Sequence, residues 1–118
     1  MTKPQSYPKS LRLSGRDAID TAFRKGRYLR LGVLHAKALP TDRAGARYLI
    51  SVKKAIGSAA ERNRIKRLVR EAIRRHKTLL RRPHDVCLFL TARPEAPPTL
   101  AEIDAEILKM FQRLDAAP

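Results

Sequence analysis

The sequence predicts a single small α+β domain on a mixed central sheet, and three observations carry that prediction. Three stretches with the 3.6-residue periodicity of amphipathic helices, each opened by a capping signal, alternate with three runs of strand character. The longest helical stretch lies between two strand runs, and two strands joined in this way run parallel when they share a sheet. The first two strand runs are separated only by a turn-rich segment and read as an antiparallel pair. A length of 118 residues supports one domain.

Residues 1–13 contain Lys3, Pro4, Pro8, Lys9 and Arg12 with little apolar content, and read as a flexible basic arm ahead of a folded domain over 14–118. At Ser14 the pattern SGRD sets a hydroxyl at an N-cap with Asp17 three residues on. Ala18, Ile19, Ala22 and Phe23 then share one helical stripe, and Gly26 stops it, which predicts a helix over about 15–25. From Tyr28 the chain alternates, with Leu29, Leu31 and Val33 on one side, until PTDRAG breaks it; a second alternating run follows from Arg47 to Lys53. The loop from Pro40 to Gly45 suits a hairpin. Ser58 and Glu61 form a capping box that opens a long helix to about Leu80. Val86 to Leu90 is apolar on both faces, which suits an interior strand. Thr99 and Glu102 form another capping box before a final amphipathic helix carrying Leu100, Ile103, Ile107, Met110, Phe111 and Leu114. The order is α-β-β-α-β-α.

The chain has 26 Lys and Arg against 11 Asp and Glu, a formal charge of +15, yet 43% of its residues are hydrophobic. It is therefore a folded polycation whose natural partner is a polyanion. With no Trp and 5% aromatic residues, the core must be mainly aliphatic. No apolar run approaches the ~20 residues of a spanning helix, and the start MTKPQSYPKS lacks the apolar region of a secretory signal. The expectation is a cytoplasmic protein with no membrane partner. Cys87, the single cysteine, lies in VCLFL, where a small buried hydrophobe is expected.

The charge is concentrated on the long helix. From Glu61 to Lys77 there are eight Lys or Arg and two Glu, a net +6. Ile65, Leu68, Val69, Ala72, Ile73 and His76 form an inward stripe. At ~100° per residue, Asn63, Lys66, Arg67, Arg70, Arg74 and Lys77 gather on the opposite side, with Arg62, Arg64 and Arg75 flanking them. A solvated face normally mixes signs, but this arc holds no acid. Like charges at i and i+4 repel, whereas guanidinium groups bind phosphate in a bidentate, planar fashion. The ridge is matched to a phosphate backbone.

At these residues the chain resembles the protein component of bacterial ribonuclease P. The string is ERNRIKRLVREAIRRH, Glu61 to His76, in which Arg62, Asn63, Arg64, Lys66, Arg67, Arg70, Glu71 and Arg74 stand at the family's signature positions. The resemblance extends to SVKKAIGSAA before it, to Arg12 and Leu13 ahead of a helix with Phe23 and Gly26, and to Ala92, Arg93 and Pro94. It implies a ribosomal-protein-S5-domain-2-like fold with a left-handed crossover and a short extra strand near the hairpin, in the order α-β-β-(β)-α-β-α. It also implies a subunit, one protein per RNA, of a ribonucleoprotein endonuclease that removes the 5′ leader of precursor tRNA, with chemistry by a catalytic RNA and its Mg²⁺. By the same implication Arg62, Asn63, Arg64, Lys66, Arg67, Arg70 and Arg74 bind the catalytic RNA. Arg12, Phe23, Lys37, Ser51, Lys53 and Lys54 line a cleft for the single-stranded leader. Two positions depart from the family pattern. The chain reads LISVKKA where GLSVSKK is usual, and Lys37 stands where many members carry an aromatic residue.

A protein nuclease using two metals needs converging carboxylates, and the acids here are scattered. Asp104 and Glu106 are two apart on a helix and do not share a face. His35, His76 and His84 show no ligand spacing, and Ser51 has no visible base. No catalytic residue is expected on the protein. The competing reading is a structural RNA-binding protein of ribosomal type, which would share the ridge but not affect cleavage.

Overall fold

The computed structural model describes residues 9–80 and 82–116. Helix α1 (Arg16–Lys25) leads into strands β1 (Arg27–Arg30), β2 (His35–Pro40) and β3 (Arg47–Ser51), followed by helix α2 (Ala59–His76), strand β4 (His84–Phe89) and helix α3 (Leu100–Ala116). Short 3₁₀ turns occupy Lys9–Leu11, Lys54–Ile56 and Lys77–Leu79. The α+β class and mixed sheet are as expected; the extra strand is β1.

The strand order is β1-β2-β4-β3, with β1–β2 and β2–β4 antiparallel and β3–β4 parallel. The expected antiparallel pairing of the first two runs is therefore wrong: β4 lies between β2 and β3. The reason is visible in β4 itself. Val86, Leu88 and Leu90 point to one face of the sheet and Cys87 to the other, all at most 4% exposed. A strand apolar on both sides gains most from the centre, whereas β3 carries Arg47 and Ser51 on one face and takes the flank. The parallel β3-α2-β4 unit stands as read.

The run from Tyr28 also breaks earlier than its alternation suggests. Leu31 donates its N–H to the Leu34 carbonyl at 3.0 Å, and the turn is gripped by Glu106 of α3, which accepts from Val33 N–H at 3.1 Å and Leu34 N–H at 2.8 Å. Gly32 sits at φ 156°, and a Cβ there would lie 2.7 Å from a Glu106 carboxylate oxygen.

The capping boxes at α2 and α3 form as read, with Ser58 Oγ accepting from Glu61 N–H at 3.1 Å and Thr99 Oγ1 from Glu102 N–H at 3.2 Å. The Ser14–Asp17 box does not form. Gly15 occupies the N-cap of α1 without any side-chain bond. Helix α2 ends at His76 rather than near Leu80, its last turn tightening to 3₁₀.

Helices α2 and α3 seal one face of the sheet. Ile65, Val69, Ala72 and Ile73 meet Ile103, Ile107, Met110, Phe111 and Leu114 over Leu29, Ala36, Ala38, Val86 and Leu88. Each fully buried Leu or Ile contributes about 1.5–3 kcal/mol, so this layer holds the fold. The other face has a smaller cluster of Leu13, Ala22 and Cys87, with Ile19, Phe23 and Leu49 against it. One ten-residue helix covers only part of that face, and the rest is available as a binding surface. Of the arm expected over 1–13, residues 1–8 lie outside the described residues. Of residues 9–13, Lys9, Ser10 and Arg12 are exposed and Leu11 is partly buried, but Leu13 is 3% exposed and its N–H donates to the Tyr48 carbonyl at 2.8 Å.

Candidate nucleic-acid interface

The first basic surface is the outer side of α2. The inward stripe holds, with Ile65, Val69, Ala72 and Ile73 buried; Leu68 is partly buried and His76 pairs with Asp104 at 2.9 Å. The ridge residues divide into two groups. The side chains of Lys66, Arg67, Arg70 and Lys77 have no hydrogen-bond or ion-pair partner among the described residues, nor does that of Asn63. The others are engaged. Arg62 Nε donates to the Gly57 carbonyl at 3.3 Å, Arg64 donates to the Pro98 carbonyl at 2.8 Å, and Arg74 grips Glu71 through two bonds of 2.6 and 3.0 Å. The Arg74 hydrogen bonds hold the Glu71 carboxyl below its ordinary range. At the N-terminal end Glu61 accepts from Ser58 N–H and pairs with Arg93 at 3.1 Å; the Ser58 backbone bond lowers its pKa first, the Arg93 charge after. Three of the four unpaired ridge cations thus sit mid-helix, with tethered arginines on either side.

The second surface is a cleft of about 370 Å³ between α1, the end of β3 and β4. It is lined by Phe23, Ser51, Lys53, Ala55, Ile56, Phe89, Leu90 and Thr91. Three of the six residues expected here, Phe23, Ser51 and Lys53, come together. The parallel register puts Ser51 opposite Phe89, and side-chain alternation turns both toward α1. The other three lie off the cleft wall. Lys54 is exposed in the adjoining 3₁₀ turn, Arg12 bridges Tyr48 at the outer edge of β3, and Lys37 stands over the Tyr28 ring at 5.8 Å. The sequence reading missed Phe89, whose ring packs on Phe23 with centroids 5.7 Å apart. The signal was present: in an interior strand alternate residues face opposite layers, so Cys87 and Phe89 had to face the first helix.

Five of the carboxylates are already committed to other groups. Mg²⁺ requires free oxygen ligands in octahedral array, but Glu61, Glu71, Asp85, Asp104 and Glu106 are each bound to a cation or to backbone N–H groups. No cluster of three or more candidate ligands occurs among the described residues. His84 Nδ1 donates to the Arg82 carbonyl at 2.8 Å. Burial, with a smaller effect from Asp85, pushes the Cys87 thiol up to about 11, so it is an inert core group. Among the described residues no helix is long and apolar enough to cross a membrane.

The fold is shared with solved ribonuclease P proteins. The Staphylococcus aureus RNase P protein superposes with a TM-score of 0.75 at 23% identity, over 92% of this chain and 97% of that one. The Thermotoga maritima protein gives 0.75 at 24%, over 86% and 96%. Among curated sequences, the ribonuclease P protein component of Chlorobaculum tepidum is 35% identical, spanning 95% of this chain and 84% of that protein. Its counterpart from an Exiguobacterium species is 30% identical over 89% and 90%. The ribonuclease P family model matches residues 7–115. A match over nearly the whole length, on a chain with this ridge and this fold, means that the protein belongs to the ribonuclease P protein-component family.

Proposed function

We propose that the protein binds the catalytic RNA of ribonuclease P through α2 and the 5′ leader of precursor tRNA through the cleft, supporting endonucleolytic removal of the leader. Family membership carries the coarser part, a protein subunit of an endoribonuclease in tRNA 5′ processing that works with the ribonuclease P RNA. The observation that carries the rest is the meeting of Phe23, Ser51 and Lys53 in one cleft: a ring for base stacking, with a hydroxyl and a cation for the phosphates, suits unpaired RNA.

In this reading the RNA supplies the hydrolytic chemistry with its own Mg²⁺, one protein serves one RNA in the cytoplasm, and no protein side chain acts as nucleophile. The protein's part is electrostatic and positional. Lys66, Arg67 and Arg70 exchange the counterions of the catalytic RNA for fixed cations, with Arg62, Asn63, Arg64 and Arg74 at the margins. Lys53 and Lys54 do the same for the leader, and Arg12 and Lys37 extend the positive field. Two polyanions are thereby held together at a Mg²⁺ concentration that alone would not screen them.

The test adds the purified protein to the matching catalytic RNA at low Mg²⁺ and measures cleavage of precursor tRNA. Stimulation is expected. Tight binding to structured RNA with no stimulation would establish the structural RNA-binding alternative instead.

A further inference from the structure

The aromatic wall of the cleft continues beyond the cleft. Phe89 stacks on His35 of β2 with centroids 5.6 Å apart and planes at 23°, and His35 stacks on Tyr28 of β1 at 5.7 Å and 25°. Nearly parallel planes mean that these rings stand on the sheet side by side, each covering its neighbour's face. His35 is consequently 9% exposed, whereas Tyr28, the last ring of the row, is 50% exposed. An exposed tyrosine by itself needs no explanation. This one is held in orientation: its hydroxyl is hydrogen-bonded to His35 Nδ1, and His35 Nε2 is hydrogen-bonded to Thr91 Oγ1 at 3.2 Å. Lys37, its cross-strand partner, sets an ammonium 5.8 Å from the ring centroid.

We propose that Tyr28 is a stacking platform for an unpaired base of single-stranded RNA, which leaves the Phe23–Phe89 cleft and crosses the sheet toward β1 with Lys37 on its phosphate. A base laid on the outer face of Tyr28 continues a row of rings already built, and the fixed ring loses little freedom on binding. The platform rests on the reading of the cleft as the leader site.

The test uses the assembled holoenzyme and precursor tRNAs with leaders of about two and about ten nucleotides, the longer comparable to the single-strand site sizes of other binding folds. Tyr28→Ala is expected to weaken binding of the long-leader substrate by about tenfold and to leave the short-leader substrate unchanged, while Tyr28→Phe, which keeps the ring and loses only the hydroxyl's hold on His35, costs the long-leader substrate much less than Tyr28→Ala does. The platform is overturned if Tyr28→Ala leaves the long leader unaffected, weakens both substrates equally, or is matched in its loss by Tyr28→Phe. Phe23→Ala in the same assay separates the two levels. A loss with Phe23→Ala but none with Tyr28→Ala rejects the platform and keeps the cleft; no loss with either rejects the cleft as well.

Discussion

Glu106 reaches from α3 to the turn between β1 and β2 and takes two backbone N–H groups that no strand partner could satisfy. Replacing it by Ala strands both donors in a partly buried site. The expected cost is about 1–3 kcal/mol, read as a drop of several degrees in melting temperature. Gly32→Ala attacks the same junction by driving a Cβ into that carboxylate, and is expected to destabilise comparably. Cys87 makes a prediction about pH. Its thiol is raised from 9.0 to about 11 in the fold, so the folded state favours the protonated form. Its contribution is complete below the unfolded value near 9 and is lost as pH climbs to about 11. Urea titrations across that range should show stability falling in wild type and a shallower fall in Cys87→Ala. A thiol reagent at neutral pH should label Cys87 only once the protein is unfolded.

At the scale of the element, α2 is two helices in one: an apolar stripe that fastens it to α3 and a cation face that nothing in the described residues neutralises at its centre. Arg67→Ala is expected to flatten the slope of log K against log salt for the catalytic RNA by about one unit. Arg64→Ala is expected to change it less, because Arg64 already holds the Pro98 carbonyl; faster hydrogen exchange of the 92–99 segment is the readout that moves instead. Ser58→Ala removes one half of a formed capping box and should cost about 1 kcal/mol in a melting experiment. The elements were largely legible in the sequence because helix caps and the 3.6-residue stripe are local signals: Ser58–Glu61 and Thr99–Glu102 name their helices unaided. What failed was long-range. No local pattern says that Glu106 will seize the turn at Val33, that Gly15 will displace Ser14 as cap, or that β4 will separate β2 from β3. The site was legible to the same degree. Phe23, Ser51 and Lys53 could be placed together through resemblance, whereas the row from Phe89 to Tyr28 depends on registers between β1, β2 and β4 that only the folded sheet defines.

The whole molecule presents two unlike faces, one sealed by α2 and α3 and one half covered by α1. Function follows from that inequality, since a fully covered sheet would have no cleft. Phe23→Ala is therefore expected to weaken holoenzyme binding of precursor tRNA while sparing mature tRNA, measured side by side; equal losses would make Phe23 a packing residue only. The central position of β4 also governs how the chain can acquire its shape. The strand that joins β2 to β3 is the last of the four to be synthesised, so a nascent chain that has not reached residue 84 holds the β1–β2 pair and a β3 with no strand to join. Folding on the ribosome must wait until β4 has emerged, and the cation ridge of α2 emerges before the scaffold that fixes it. A fragment ending at residue 80 should remain largely unfolded by circular dichroism, and adding the complementary piece from 81 onward should restore the native spectrum.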